Sequence, residues 1–120
     1  EEIKEYEKNE NLFLFVQKFQ KNLELLNNFT IWLVEKSKTS KDDVSSACND
    51  YLKVLGYIGL AHSWLKILKI SYENIDKNNE FFQDKINTAK YYFEKILPRV
   101  QSHYISAVSG SDTMMKSKFN

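Results

Sequence analysis

Glycine and proline are almost missing from this chain, and that scarcity limits its fold more than any motif does. Three glycines and a single proline, Pro98, punctuate 120 residues. A β-rich domain of this size needs many turn residues, so long helices with few connections follow. One domain accounts for the whole length, 1–120, with a core expected over about 12–109. Placing residues at 100° intervals puts Leu12, Phe15, Val16, Phe19, Leu23, Leu26, Thr30, Leu33 and Val34 in one sector about 100° wide. This predicts a first helix running to about Lys38. Ile3 and Tyr6 fall outside the sector, so the first ten residues are not counted in the core.

Ser40 followed by Asp43 resembles a capping box with Asp in place of Glu, so a second helix is predicted from Lys41 to Asn74. Its main stripe holds Val44, Ala47, Cys48, Tyr51, Val54, Leu55, Ile58, His62 and Leu65. Leu52, Gly56, Gly59, Ser63 and Ile70 make a second stripe of mostly small residues. Each glycine lowers helix stability by about 1 kcal/mol relative to alanine, so close approach of another backbone is the expected compensation. After the polar stretch Asn74 to Asn79, a third helix starts at about Glu80. Phe82, Ile86, Ala89, Phe93, Ile96, Leu97, Val100, Tyr104 and Ala107 share one face through Pro98, which predicts a kink there rather than an end. Gly110 is the expected C-cap, with Met114 and Met115 close to the same face. The fold class expected is therefore all-α, an up-down-up bundle of three long antiparallel helices, with room for a short fourth helix at a terminus.

Several functions lose support from charge and composition. Acidic and basic side chains interleave to a net charge of +1, and Arg99 is the only arginine. Lysine lacks the planar fork that reads phosphate and guanine, so a nucleic-acid partner is not expected. The longest apolar run, Val54 to Ala61, is far short of the roughly 20 residues of a membrane span. Cys48 is the sole cysteine, which suits a reducing compartment, with cytoplasm the default. The first residue is Glu1 rather than Met, and no signal-peptide pattern precedes the helices, so a piece of a longer protein is the expectation.

Candidate catalytic chemistry is sparse. Neither His62 nor His103 follows a Glu at the Glu-x-x-His spacing of di-metal bundles, and no Cys and His pair has zinc spacing. His62 reads as a hydrogen-bonded core histidine and His103 as exposed. Cys48 reads as a small buried hydrophobe, and Asp50 as an ion-pair partner to a lysine or Arg99. No catalytic, cofactor-binding or metal-ligating residue is assigned. Apolar surface exceeds what three helices need: Leu14, Leu25, Phe29 and Trp32 lie off the main stripe of the first helix. Tyr57, Leu60, Trp64 and Ile67 lie on the outer side of the second. Leu14, Leu25, Phe29, Trp32 and Trp64 are the candidate interface, with a fourth helix covering them as the bland alternative.

Two segments carry a family resemblance. Tyr51-Leu52-Lys53-Val54-Leu55-Gly56, with Gly59-Leu60-Ala61 and Trp64, is followed by Ala89-Lys90-Tyr91-Tyr92-Phe93-Glu94-Lys95-Ile96-Leu97-Pro98. These resemble the C-terminal accessory domain of the larger acyl-CoA dehydrogenases, the group that includes enzymes acting on methylthiopropanoyl-CoA. The resemblance spans roughly Asp43 to Met115, with Lys for Arg and Ile or Val for Leu and Phe as the main departures, and His62-Ser63 in place of bulkier residues. It implies a parent enzyme that uses FAD and a carboxylate base to oxidise an acyl-CoA to the 2,3-enoyl-CoA. It also implies that this segment packs on the dehydrogenase body, in a parent open to homo-oligomerisation, and holds no FAD itself. No catalytic residue of the family maps onto the segment. The alternatives are a free-standing helical adaptor docking a partner on its apolar face, and a peripheral membrane attachment through Trp64 to Ile70.

Overall fold

The structure, a computed structural model, describes Tyr6 and residues 9–108. Helices α1, Phe13–Ser37, and α2, Lys41–Asn74, are followed by a bent third rod. The rod consists of α3, Asn79–Tyr91, a π-helical turn, Tyr92–Ile96, and α4, described over residues 99–108. No strand occurs among the described residues. Ring contacts set the directions. Phe19 meets His62 and Phe29 meets Tyr51, so α1 and α2 are antiparallel. Trp64 meets Tyr92 and Tyr57 meets His103, so α2 and the rod are antiparallel too. Phe15 on Phe93 and Phe29 on Tyr104 then place α1 and the rod parallel, which is the up-down-up order expected.

Local signals set the helix ends. Ser40 Oγ accepts from the Asp43 backbone N–H at 3.3 Å, and Lys36 Nζ lies 3.9 Å from Asp43 Oδ2 across the connection. The capping half-box thus starts α2 at Lys41, as its residue types require. Asn78 Oδ1 does the same for α3, accepting from the Phe81 N–H at 3.2 Å.

The faces differ from the expectation in a systematic way. On α1, Phe29 is fully buried, whereas Leu23 and Val34 are exposed. On α2, Ala61, Leu68 and Ser71 are buried, whereas Cys48 and Leu55 are exposed. The buried series Ala47, Val54, Ala61, Leu68 repeats every seven residues, a period of 3.5 rather than 3.6. An ideal helix drifts by about 20° per heptad against that period, so over the 17 residues from Leu12 to Phe29 the wheel errs by roughly 50°. That drift carries Phe29 into the seam and Val34 out of it. A 3.5-residue spacing is the one that helix seams in bundles use.

The kink is realised before Pro98 rather than at it. The proline has no N–H to donate and its ring would meet the carbonyl of residue 94 in a regular helix. The preceding turn widens instead, and the Leu97 N–H donates to the Tyr92 carbonyl at 2.8 Å, five residues back. Val100 and Gln101 then donate to Leu97 and Pro98, at 3.0 and 3.2 Å, and α4 begins. The wide turn buries two consecutive aromatics, Tyr92 and Phe93.

Tyr6 corrects another expectation, because it is buried in the core with Lys69 Nζ 5.7 Å above its ring. Apart from Tyr6, a terminal fourth helix lies outside the described residues, as do Gly110, Met114 and Met115.

Gly56 and Gly59 overturn the close-approach expectation: a Cβ built on either meets nothing within 4 Å. Both stand on the exposed side of α2. Within this chain their helix penalty has no compensation, so Gly56→Ala and Gly59→Ala are each expected to raise unfolding stability by about 0.5–1 kcal/mol. Urea unfolding of the 120-residue chain checks this, and a loss of stability at either position would show that the helix is packed there.

Candidate functional site

Three surfaces are built by this packing: a polar tie between α2 and α4, a groove between α1 and the bent rod, and the outer face of α2. At the tie, His103 Nδ1 lies 2.8 Å from Asp50 Oδ1, and its ring stacks on Tyr57 with centroids 5.9 Å apart. With the carboxylate ionised, Nδ1–H donates. His103 is therefore half-buried rather than exposed, and Asp50 pairs with it rather than with a lysine or Arg99. About three turns back along the rod, at the start of the bend, the Tyr92 hydroxyl donates to the Tyr57 carbonyl at 2.6 Å. Burial first, and then the neighbouring Tyr57, push the Tyr92 phenol up to about 12. Burial also raises the half-buried Tyr72.

A histidine paired with an aspartate is the orienting half of a nucleophilic triad. Cys48 does not complete it here. Two positions apart on a helix, Cys48 and Asp50 point about 160° from each other, and Cys48 is on the outer face. What the arrangement does is clamp α4 to α2. Asp50→Asn and His103→Gln should each destabilise the domain, with a coupling of about 1 kcal/mol in a double-mutant cycle. Additive effects would show that the pair is not formed in solution.

His62 is half-buried with its ring 6.0 Å from Phe19, which matches its place on the apolar stripe. The described residues contain no group of three or more His, Cys, Asp or Glu suited to a metal.

The groove holds two hollows, of about 490 and about 400 Å³, that meet at Lys18 and Glu94. Its floor includes Leu25, Phe93 and Tyr104, and its rim carries Lys18, Lys21, Glu24 and Glu94. Leu14 lines the second hollow and is 68% exposed. Two of the five candidate interface residues, Leu14 and Leu25, are therefore brought together here.

The other three are not. Phe29 is a correction: it is the centre of an aromatic cluster with Trp32, Tyr51 and Tyr104, at centroid distances of 6.2, 5.0 and 5.4 Å, and presents nothing to a partner. Trp32 is half-buried against it. Trp64 is half-buried against Tyr92 at 6.4 Å, on the other side of the bundle. Leu65 and Leu68 are fully buried beside it, so the apolar residues of Trp64 to Ile70 do not form one interfacial face. No helix among the described residues is long and apolar enough to cross a membrane.

The outer face of α2 was only partly legible as apolar. It exposes Leu52, Leu55, Leu60 and Ile70 around Gly56, Gly59 and Ser63. The signal present in the sequence was the second stripe of small residues; its openness to solvent was not.

A family model described as acetyl-CoA dehydrogenase C-terminal like matches residues 1–118. No curated protein and no solved structure matches the chain.

Proposed function

Because the chain belongs to the acetyl-CoA dehydrogenase C-terminal-like family, we propose that it is a non-catalytic accessory domain that packs on the dehydrogenase body of an acyl-CoA dehydrogenase. The parent enzyme, on this reading, uses FAD to oxidise an acyl-CoA to the 2,3-enoyl-CoA. The family match over nearly the whole length is the observation that carries it.

Placing FAD elsewhere in the parent is supported by the make-up of the groove. Lys18 and Lys21 face Glu24 and Glu94 in solvent, so opposite charges cancel where a pyrophosphate would need donors. The two described glycines, which a phosphate-cradling loop would use, stand on the exposed face of α2 instead. Neither the groove nor these glycines offers a pyrophosphate cradle, and no catalytic step is assigned to this chain.

The test is to purify the parent polypeptide and the 120-residue chain side by side. The parent should carry flavin absorbance that acyl-CoA bleaches, and the chain should carry none. Flavin co-purifying with the chain, or a parent frame that encodes no dehydrogenase, would overturn the reading.

The exposed Leu14 in the groove favours one second reading, a free-standing adaptor that docks a partner helix there. A parent frame without a dehydrogenase would select it.

A further inference from the structure

Solvent meets an unusual strip on α2. Between Ser45 and Ser63 the exposed residues of α2 include a single charged side chain, Lys53, before Lys66. Charged residues make up 28% of this chain, so a face about five turns long with one charge on its longest helix is not ordinary solvated surface. Leu52 and Leu60 are 65 and 53% exposed along it, and Ile70, 53% exposed, lies one turn beyond Lys66. Gly56, Gly59 and Ser63 form its centre, and nothing within the chain approaches either glycine.

These two observations have one common explanation. Small residues flanked by leucine and isoleucine let a second helix approach closely, and the glycines are then compensated by contacts made outside this chain. We propose that the outer face of α2, from Leu52 to Ile70, is the surface that seats an apolar helix of the dehydrogenase body. This rests on the accessory-domain reading above.

Area decides between that occupant and a second copy of the chain. Leu52 to Ile70 spans about 27 Å, and with a helix width of about 11 Å it offers roughly 300 Å² per side. A stable complex between separate molecules buries about 800 Å² per side, so this strip alone does not hold a dimer. A tethered partner needs less, because the linker supplies an effective concentration of order millimolar, and interfaces within one polypeptide begin at about 600 Å² in total. The charged groove is the weaker surface for such a contact, since seating an apolar helix there would desolvate Lys18, Lys21, Glu24 and Glu94.

Cys48, exposed one turn before Leu52 on the same face, is a built-in reporter. The experiment is maleimide labelling, followed peptide by peptide, in the full-length parent and in the 120-residue chain, whose folding is checked by circular dichroism. Cys48 should label at least about tenfold more slowly in the parent, the ratio that 1.4 kcal/mol of docking produces. Gly59→Leu and, independently, Leu52→Lys should restore fast labelling in the parent, whereas Leu14→Arg should not. A cysteine introduced by Leu14→Cys should label equally fast in both proteins. Protection that survives both α2 variants overturns the proposal. So does fast labelling of Cys48 with protection of Leu14→Cys in the parent, an outcome that moves docking to the groove and leaves the accessory-domain reading intact. Fast labelling at both sites removes the docking reading itself. Protection of Cys48 in the 120-residue chain that grows with concentration replaces the dehydrogenase body by a second copy.

Discussion

Replacing Phe29 by alanine is expected to lower the unfolding stability of the domain by about 3–5 kcal/mol, the range for truncating a fully buried aromatic. Its ring is fully buried and makes edge contacts with Trp32 on its own helix, Tyr51 on α2 and Tyr104 on α4. One side chain therefore joins α1, α2 and the rod at the same level. Beside it the Thr30 and Tyr51 hydroxyls are 2.7 Å apart, so the cavity left by the ring would also loosen a cross-helix hydrogen bond. A domain of this size has a total stability of about 5–15 kcal/mol, so the loss is a large share of the whole. Urea unfolding against Leu14→Ala as a surface control checks the effect. A loss below about 1 kcal/mol would return Phe29 to the surface, where the ideal wheel had it.

The second large effect is alkaline. The Tyr92 phenol sits at about 12 in the fold against an ordinary value of 10.0. Between those values the unfolded chain has lost the proton and the folded chain keeps it. The folded state then binds more protons, so stability falls as pH rises. The contribution is fully present below pH 10 and lost by about pH 12, on the order of 2–3 kcal/mol at most. Hydrogen bonding argues the same way, because the Tyr57 carbonyl can accept from the phenol but not from the phenolate. Stability measured in urea from pH 8 to 12 should fall more steeply in the native sequence than in Tyr92→Phe, which lacks the titrating group. Tyr72 is common to both proteins and cancels. Parallel profiles would rule the effect out.

The helices were legible because their signals are local. Ser40 and Asp43 start α2 where they stand, and scarce glycine and proline leave few other boundaries. The bend was legible only as a position. Pro98 announces that a helix cannot continue regularly, yet a kink at the proline and a π-helical turn five residues earlier answer the same constraint. Packing of Tyr92 under Trp64 and over the Tyr57 carbonyl selects the second.

The candidate site was less legible, for two physical reasons. Reading α1 at 3.6 residues per turn placed Phe29 outside and made it an interface residue, whereas the seam it joins repeats at 3.5. Asp50 and His103 are 53 positions apart, and nothing near either residue announces the other. Pairing across helices depends on the register of their contact.

By itself the sequence determined an all-α chain, the ends of α2, a kink near Pro98 and a resemblance that the family match bears out. Scarce glycine and proline, capping side chains and apolar periodicity act through the few residues around them, so they can be read in order along the chain. The face holding Ile86, Ala89, Phe93, Leu97, Val100 and Ala107 is buried as expected, and only the tertiary structure decided the edges of the buried faces on α1 and α2, with Phe29, Ala61 and Leu68 in and Val34 and Leu55 out. That choice follows from how one helix packs on another, a property of no helix alone. The same packing turned Phe29 inward and left Gly56 and Gly59 facing solvent, so scarcity set the helices while packing left that glycine-bearing face of α2 open.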